Sequence, residues 1–227
     1  MTSLKELSSR IDHTLLQPTA TPADIERLCS EALEWGCASV CVLPYFVPAA
    51  YRLTRGSSVA VCTVVGFPFG GSPRRAKLAE AEEAVAMGAR EIDMVINLPA
   101  LVNGDITEVE RDIAALAATV HRRGGLLKVI VECGLLTPEL TVQAAQLAAR
   151  AGADYVKTST GFLARGATVE DVTLLRSALP PGVRIKASGG IRTYEQACAL
   201  IAAGADRLGT SATRALLEDA RRYVTET

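Results

Sequence analysis

One short pattern recurs four times along this chain and constrains its fold more than any other feature. A helical stretch ends at glycine plus a small residue, and a short run rich in β-forming residues follows. The four examples are Gly36-Cys37-Ala38, Gly88-Ala89-Arg90, Gly152-Ala153-Asp154 and Gly204-Ala205-Asp206. Glycine at such a place closes a helix in the left-handed conformation, and the chain then enters a strand. The repetition predicts regular alternation of helices and strands.

The strand-like segments read as continuous apolar runs, as in VAVCTVV at 59–65. Such runs are typical of a sheet that is covered on both faces, which implies parallel strands with helical crossovers. Three helix starts are predicted from a hydroxyl residue before proline, at Thr21-Pro22, Ser72-Pro73 and Thr137-Pro138. The hydroxyl caps the helix, and proline suits its first position.

Eight strand candidates follow from these patterns, each with a helix after it. They lie near 10–14, 38–42, 58–65, 91–96, 126–132, 155–158, 184–187 and 206–209. Eight such units predict an α/β fold, a (β/α)8 TIM barrel formed by a single domain over 1–227, with a short extra N-terminal helix at 2–9. The alternative is an open doubly wound sheet, which the lack of a GxGxxG motif after the first strand disfavours.

Charged residues stand inside several of the apolar strands. Asp93 lies in EIDMVIN, Lys128 in LLKVIVEC, Lys157 in DYVKTST and Lys186 in RIKASGG. An unpaired buried ammonium group costs several kcal/mol, so these charges need partners. Because their strands are consecutive, we expect the four side chains to meet inside the barrel at its C-terminal face, where TIM barrels carry their active sites. Asp93 is the expected partner of Lys128, since Glu132 lies about 13 Å further along the same strand.

Lys157 is the predicted nucleophile of this cluster. The small residues that follow it, beginning with Thr158, leave room for a ligand. A free lysine has a pKa of about 10.4 and is protonated at neutral pH. The neighbouring cation Lys186, together with partial desolvation, would lower that pKa and free the amine for imine formation. The alternative is that both lysines are structural charges paired with acids.

Two small-residue loops predict a phosphate site at the same face. Ser188-Gly189-Gly190 follows the seventh strand, and Gly209-Thr210-Ser211 follows the eighth strand just before a helix. Barrels often bind phosphate there with backbone N–H groups and a helix N-terminus. Gly161, after the sixth strand, is expected to add a third edge to this site.

Composition excludes several other classes of function. The formal net charge of −1 disfavours general binding to polyanions, so we expect neither nucleic acid nor membrane partners. No apolar run reaches the roughly 18 residues of a membrane span, and MTSLKELSSR lacks the apolar centre of a secretory signal, so we expect a cytoplasmic protein. The six cysteines contain no CxxC pair and are expected to be reduced and buried, with Cys41 placed to line a pocket. Two histidines are too few for a histidine-based metal site.

The chain resembles the deoxyribose-phosphate aldolase family over nearly its whole length. The segments that carry the resemblance are DHTLL (12–16), VCVLPYFV (40–47), VVGFPFG (64–70), EIDMVIN (91–97), LKVIVECGLL (127–136), DYVKTSTGF (154–162), IKASGGIR (185–192) and RLGTS (207–211). The resemblance implies a class I aldolase that needs no metal or other cofactor. It implies reversible cleavage of 2-deoxy-D-ribose 5-phosphate to acetaldehyde and D-glyceraldehyde 3-phosphate.

The resemblance also implies residue roles. Lys157 matches the imine-forming lysine, and Asp93 and Lys186 match the pair that assists proton transfer. Gly161, Gly189, Gly190 and Ser211 match the phosphate loops, to which the loop pattern adds Ser188 and Gly209. Lys128, Cys41 and Thr158 are expected to support the site.

Two positions depart from the family pattern. Phe162 stands where some members carry a lysine that could meet the phosphate, so we expect phosphate binding to depend more on backbone N–H groups, with the charge partner left open. Some members end in a tyrosine that reaches the site, whereas this chain ends in Thr227, and the role is not transferred to Tyr223. Two alternatives stay open: another phosphate-binding barrel, such as a transaldolase-like lyase or an isomerase, and a sugar-phosphate sensor without turnover. We expect a homo-oligomer, either dimer or tetramer.

Overall fold

A computed structural model describes residues 3–224 of the chain. Within this range eight parallel strands form a closed barrel in sequence order. The strands are β1 Ile11–Leu15, β2 Ser39–Val42, β3 Ala60–Val65, β4 Glu91–Val95, β5 Leu126–Ile130, β6 Tyr155–Lys157, β7 Arg184–Ser188 and β8 Arg207–Thr210. The (β/α)8 prediction is therefore confirmed. Pairing of Ile11 with Leu208 joins β1 to β8 and rules out the open doubly wound sheet.

Helices cover the outside of the barrel, one before the first strand and the others after the successive strands. They are α1 Leu4–Ser8, α2 Pro22–Trp35, α3 Val47–Thr54, α4 Arg74–Ala86, α5 Leu98–Val102, α6 Ile106–His121, α7 Pro138–Arg150, α8 Val169–Ala178, α9 Tyr194–Ala202 and α10 Thr213–Val224. The predicted N-terminal helix at 2–9 corresponds to α1, and position 2 lies outside the described residues. In the part of the chain that the structure describes, no helix has both the length and the hydropathy to cross a bilayer.

Local signals at the helix ends were mostly correct. Thr21 caps α2 with its side chain and Thr137 caps α7, each with proline directly after it. The prediction for Ser72 was wrong, because α4 begins at Arg74 and Pro73 is the residue before it, in an extended conformation. The carbonyl of Pro73 accepts the first helical hydrogen bonds, from the N–H groups of Ala76 and Lys77. The four glycines of the recurrent pattern all have positive φ angles.

The fifth strand is shorter than its apolar run predicted. β5 ends at Ile130, so Glu132 does not lie on the same strand as Lys128, and that part of the prediction was wrong. Glu132 instead adopts a left-handed conformation with φ of 59°. Its carboxylate turns to accept a hydrogen bond at 2.9 Å from the backbone N–H of Thr160, in the loop after β6.

Alternation along the strands separates an apolar layer from a charged one. Ile92, Val129, Val156 and Ile185 are fully buried and belong to the apolar core shared by the strands and the helices. The residues on either side of them in sequence point to the opposite face, into the barrel. Because a closed barrel of this size is filled by side chains, the inward residues must pack against one another. In this chain many of them are charged.

Candidate active site

Strand register places the four predicted charged residues side by side. Asp93 pairs with Lys128 across β4 and β5, and Lys157 pairs with Lys186 across β6 and β7. All four side chains are buried, with at most 2% of any of these residues exposed to solvent. The predicted cluster therefore exists.

Asp93 is the centre of the cluster. Its Oδ1 accepts a hydrogen bond from Lys128 Nζ at 2.9 Å, the partner that the sequence predicted. Its Oδ2 accepts two, from Lys157 Nζ at 2.8 Å and from Lys186 Nζ at 2.7 Å. Burial by itself would raise the pKa of Asp93, but the nearby ammonium groups outweigh burial and hold that pKa well below its usual range.

Asp12, on β1, is a member of the cluster that sequence reasoning missed. Its Oδ2 lies 2.5 Å from Lys186 Nζ and 3.6 Å from Lys128 Nζ, and its Oδ1 lies 2.5 Å from Arg207 Nη1. Burial would raise the pKa of Asp12, but these three cations lower it. The signal was present in the sequence, because Asp12 stands in an apolar strand as Asp93 does.

A second tier of charges, also missed, lies toward the N-terminal ends of the strands. Glu91 Oε2 is 2.5 Å from Lys128 Nζ and 3.2 Å from Arg207 Nη1. Arg207 Nη2 also donates to the hydroxyl of Tyr155 at 3.3 Å. Arg207 thus links Glu91 to Asp12 and continues the charge network below the lysines.

The three lysines of the cluster differ in their surroundings. Burial opposes the charged form of Lys186, but Asp12 and Asp93 outweigh it and raise the pKa of that lysine. Burial likewise opposes the charged form of Lys128, and acidic neighbours led by Asp93 raise its pKa well above the usual value. Lys157 has a single carboxylate partner, Asp93, and it alone of the three borders the main cavity.

This cavity has a volume of about 440 Å³ and opens at the C-terminal end of the barrel. The loops after β1, β6, β7 and β8 line it. The predicted phosphate-loop residues all border it, namely Gly161, Ser188, Gly189, Gly190, Gly209 and Ser211. One wall of the cavity therefore carries the small residues, while the amine of Lys157 is reached from within it.

Close backbone approach explains the glycines on this wall. A Cβ atom on Gly189 would lie 3.0 Å from the Cα of Gly166 and 3.3 Å from the Cα of Gly161, so the two loops meet without side chains. Gly189 and Gly161 also have positive φ angles, of 87° and 82°. Gly209 has a further role, because a Cβ there would lie 2.9 Å from Cε of Lys186. The missing side chain leaves room for that lysine.

Two hydroxyl residues hold these loops together. The Ser188 hydroxyl donates to the carbonyl of Ser159 at 2.5 Å, so it is already engaged within the protein. Thr158 Oγ1 accepts a hydrogen bond at 3.1 Å from the N–H of Ser188.

Cys41 is fully buried against Cys62 and does not line the cavity. Its Sγ belongs to the layer beneath.

The cavity mouth shows how this chain departs from the family pattern. Phe162 lines it and packs edge-on against Phe67, with ring centroids 5.2 Å apart. Arg192, which sequence reasoning missed, also lines the cavity. Its signal was its place directly after the glycine loop, in GGIR. Tyr223 stacks on Tyr194 with centroids 5.1 Å apart and is absent from the lining, and Thr227 lies outside the described residues.

Two groups of side chains are close enough to share a cation, Cys41 with Cys62 and Asp93, and Asp12 with Cys62 and Glu91. Each includes carboxylates that already pair with ammonium or guanidinium groups. A metal ion there would meet like charge at short range, so electrostatics favours the lysines as the partners of these carboxylates.

Comparison with known proteins agrees with this geometry. The model of the family described as DeoC/LacD family aldolase matches residues 8–218. The chain is 53% identical to deoxyribose-phosphate aldolase of Clostridium kluyveri over 209 residues, which are 92% of this chain and 95% of the relative. It is 49% identical to the enzyme of the same name from Thermococcus gammatolerans over 218 residues, 95% of this chain and 97% of the relative.

A solved structure shares both sequence and fold. Deoxyribose-phosphate aldolase from Aeropyrum pernix, described as having a unique tetrameric structure, superposes with a TM-score of 0.92 at 35% identity. The match covers 98% of this chain and 94% of the other.

Proposed function

Because this chain belongs to the DeoC/LacD family of aldolases, we propose that it reversibly cleaves 2-deoxy-D-ribose 5-phosphate through an imine on Lys157. The products are acetaldehyde and D-glyceraldehyde 3-phosphate. One observation carries the assignment of the nucleophile: among the three clustered lysines, Lys157 is the one that borders the cavity. Lys128 and Lys186 are instead held between two or more carboxylates.

The first half of the reaction forms the imine. The free amine of Lys157 attacks the aldehyde carbon C1 of the open-chain sugar, and the adduct loses water to give a protonated imine. The positive nitrogen then draws the electron pair of the C2–C3 bond, which breaks. Carbon C3 becomes the aldehyde of glyceraldehyde 3-phosphate, and a two-carbon enamine stays on the lysine.

Asp93 and Lys186 supply the proton transfers. Asp93, through a water molecule, accepts the proton of the C3 hydroxyl as the bond breaks. Lys186 and Lys157 both hydrogen-bond to Oδ2 of Asp93. A proton can therefore pass between Asp93 and Lys186 without a large movement of any heavy atom. Protonation of the enamine at carbon and hydrolysis of the imine then release acetaldehyde and restore the amine. Positioned groups of this kind contribute about 10²–10⁴-fold in rate.

The glycine loops are the proposed phosphate site. Gly161, Gly189 and Gly190 offer backbone N–H groups, and Ser211 lies just before the N-terminus of α10, where the helix dipole favours an anion. Phe162 carries no charge, so Arg192 is the proposed cationic partner of the phosphate. Ser188 and Thr158 act by holding the loops in place, and Lys128 and Cys41 act from below the cavity.

Borohydride reduction in the presence of acetaldehyde tests the proposal. We expect a two-carbon adduct on Lys157, found by peptide mass spectrometry and formed equally well with a chelator present. A coupled assay for glyceraldehyde 3-phosphate should show cleavage of deoxyribose 5-phosphate. An isomerase or a sensor would leave Lys157 unmodified, and a transaldolase-like lyase would prefer another donor sugar.

The assembly and the compartment are also proposals. The related enzyme of Aeropyrum pernix is described as tetrameric, and this chain exposes large apolar side chains such as Tyr45 and Phe69. We propose a cytoplasmic homo-oligomer that binds neither nucleic acid nor membranes. Light scattering coupled to size-exclusion chromatography should give a mass of two or four chains, and a monomer would contradict the proposal.

A further inference from the structure

Seven ionisable side chains form one buried network inside the barrel. Distances of 3.6 Å or less link every member to at least one other of opposite charge. Its acidic members are Asp12, Glu91 and Asp93, and its basic members are Lys128, Lys157, Lys186 and Arg207. When Lys157 is a free amine, three positive charges face three negative ones. When Lys157 is protonated, one positive charge has no counterpart within the network.

Six of the seven members contact two or more groups of opposite charge. Arg207 keeps its proton at any ordinary pH, and Asp12 and Glu91 both contact it. Lys128 contacts three carboxylates and Lys186 contacts two. Lys157 has one, and Lys186 shares the same oxygen of that carboxylate. Lys157 is therefore the member of the network with the fewest contacts to opposite charge.

On the premise that Lys157 is the imine-forming lysine, we propose that Glu91 and Arg207 are positioning residues that set how readily Lys157 gives up its proton. They act by fixing the net charge of the network, not by contact with substrate. Neither borders the cavity, and both lie at the N-terminal ends of their strands, β4 and β8. The net charge of the whole network, and not Lys186 alone, then favours the free amine of Lys157.

The effect reaches Lys157 through a continuous path of ion pairs. Arg207 contacts Asp12, Asp12 contacts Lys186, and Lys186 shares Oδ2 of Asp93 with Lys157. The side chains of Glu91 and Arg207 are only 7% and 11% exposed, so solvent screens them weakly. Charges separated by several ångströms in such a place still interact strongly enough to shift a pKa by about one unit.

Other titratable groups lie near the network or at the cavity, on the surrounding elements. They are Cys41 on β2, Cys62 on β3, Glu132 after β5 and Arg192 at the cavity mouth, besides the members of the network itself. Cys62 hydrogen-bonds to Asp93, and burial holds the pKa of its thiol well above the ordinary value. These groups are the same in every variant below, so their contribution cancels when variants are compared.

Opposite signs of shift distinguish this proposal from a structural role. We would measure the pH dependence of borohydride trapping of acetaldehyde on Lys157, and of kcat/KM, in Glu91→Gln, Arg207→Gln and the double variant. Glu91→Gln leaves an excess positive charge, disfavours the proton on Lys157 and moves the acid limb of both profiles down by about 0.5–1 pH unit. Arg207→Gln moves it up by a similar amount, and the double variant returns close to wild type.

Charge-preserving variants are the controls, and two further substitutions replace any variant that does not fold. Glu91→Asp and Arg207→Lys preserve charge and should leave the acid limb in place even where the rate falls. If either glutamine variant fails to fold, Asp12→Asn and Lys128→Met remove the same signs of charge and should shift the limb down and up respectively. Shifts of one sign for both changes, or no shift in folded variants, would overturn the proposal. Failure to trap Lys157 in the wild-type protein would instead overturn the proposed function.

Discussion

Lys157 and Lys186 hydrogen-bond to the same atom, Oδ2 of Asp93, at 2.8 and 2.7 Å. The two side-chain nitrogens are thus brought together by one carboxylate oxygen, from neighbouring strands whose register pairs the two residues directly. Only Lys157 borders the cavity. In the proposed mechanism Lys157 reacts with the substrate, and Lys186 takes part in proton transfer.

Replacing Lys157 with methionine should abolish turnover without unfolding the protein. Asp93 keeps Lys128 and Lys186 as partners, so no buried carboxylate is left unpaired. We expect cleavage of deoxyribose 5-phosphate to fall by about 10⁴-fold or more, with the free energy of unfolding changed by about 1 kcal/mol or less. The coupled assay and urea denaturation measure the two quantities, and retained cleavage would move the nucleophile elsewhere.

Lys77→Met is the matched control for this variant. Lys77 is also fully buried and hydrogen-bonds to Asp112 at 2.7 Å and to the carbonyl of Val95 at 2.9 Å, but it lies outside the cluster on α4. Its loss leaves Asp112 buried without its cation and should cost about 3 kcal/mol of stability. Borohydride trapping on Lys157 should persist in the folded fraction, because the imine chemistry does not involve this pair.

The predictable part of the site was the part carried by consecutive strands. Asp93, Lys128, Lys157 and Lys186 each interrupt an apolar run, and strand order alone brings them together. Asp12 shows the same signal, but it lies far from the lysines in sequence. Only closure of the barrel, by pairing of β1 with β8, brings it within reach of Lys186.

Positions at the ends of strands were the least predictable. Arg207 is the first residue of β8, where an arginine side chain usually reaches solvent. β8 has only four residues, so the sequence does not show which of them point into the barrel. The run LLKVIVEC gives no sign that β5 ends at Ile130. Beyond that point Glu132 adopts a left-handed conformation, and its carboxylate accepts a hydrogen bond from the N–H of Thr160, a contact between loops that local sequence does not encode.

Substituting Gly189 with alanine should weaken binding of phosphorylated substrate. The added Cβ would meet the Cα atoms of Gly166 and Gly161 at 3.0 and 3.3 Å, and the residue has a φ of 87° that alanine tolerates poorly. We expect KM for deoxyribose 5-phosphate to rise about tenfold and stability to fall by about 1–2 kcal/mol. Gly182→Ala is the control, because a Cβ there meets nothing within 4 Å. Equal effects of both changes on KM would argue against a phosphate role for this loop.

The first turn of α2 should make a measurable contribution to acid stability. A hydrogen bond from the Thr21 hydroxyl, with further ones from the Thr21 backbone and Arg27, lowers the pKa of Asp24 to about 2. Because the folded pKa is below the unfolded value of about 3.9, the stabilisation is complete above that value. It is lost as the pH falls toward 2. Urea denaturation should therefore show that Asp24→Asn destabilises at pH 6 and has little effect at pH 2, whereas a pH-independent difference would contradict this origin.

Arg192 should distinguish phosphorylated from unphosphorylated sugars. It lines the cavity beside the glycine loops, and Phe162 offers no charge at the same wall. Removing the guanidinium in Arg192→Gln should raise KM for deoxyribose 5-phosphate about tenfold, which corresponds to one charge-assisted hydrogen bond. The same variant should leave KM for deoxyribose unchanged within about twofold, because that sugar has no phosphate for Arg192 to bind. Arg27→Gln, at a surface arginine on α2, serves as the charge-matched control and should change neither value. Steady-state kinetics with both sugars measures the difference, and equal loss for the two substrates would assign Arg192 to the shape of the loop instead of to the phosphate.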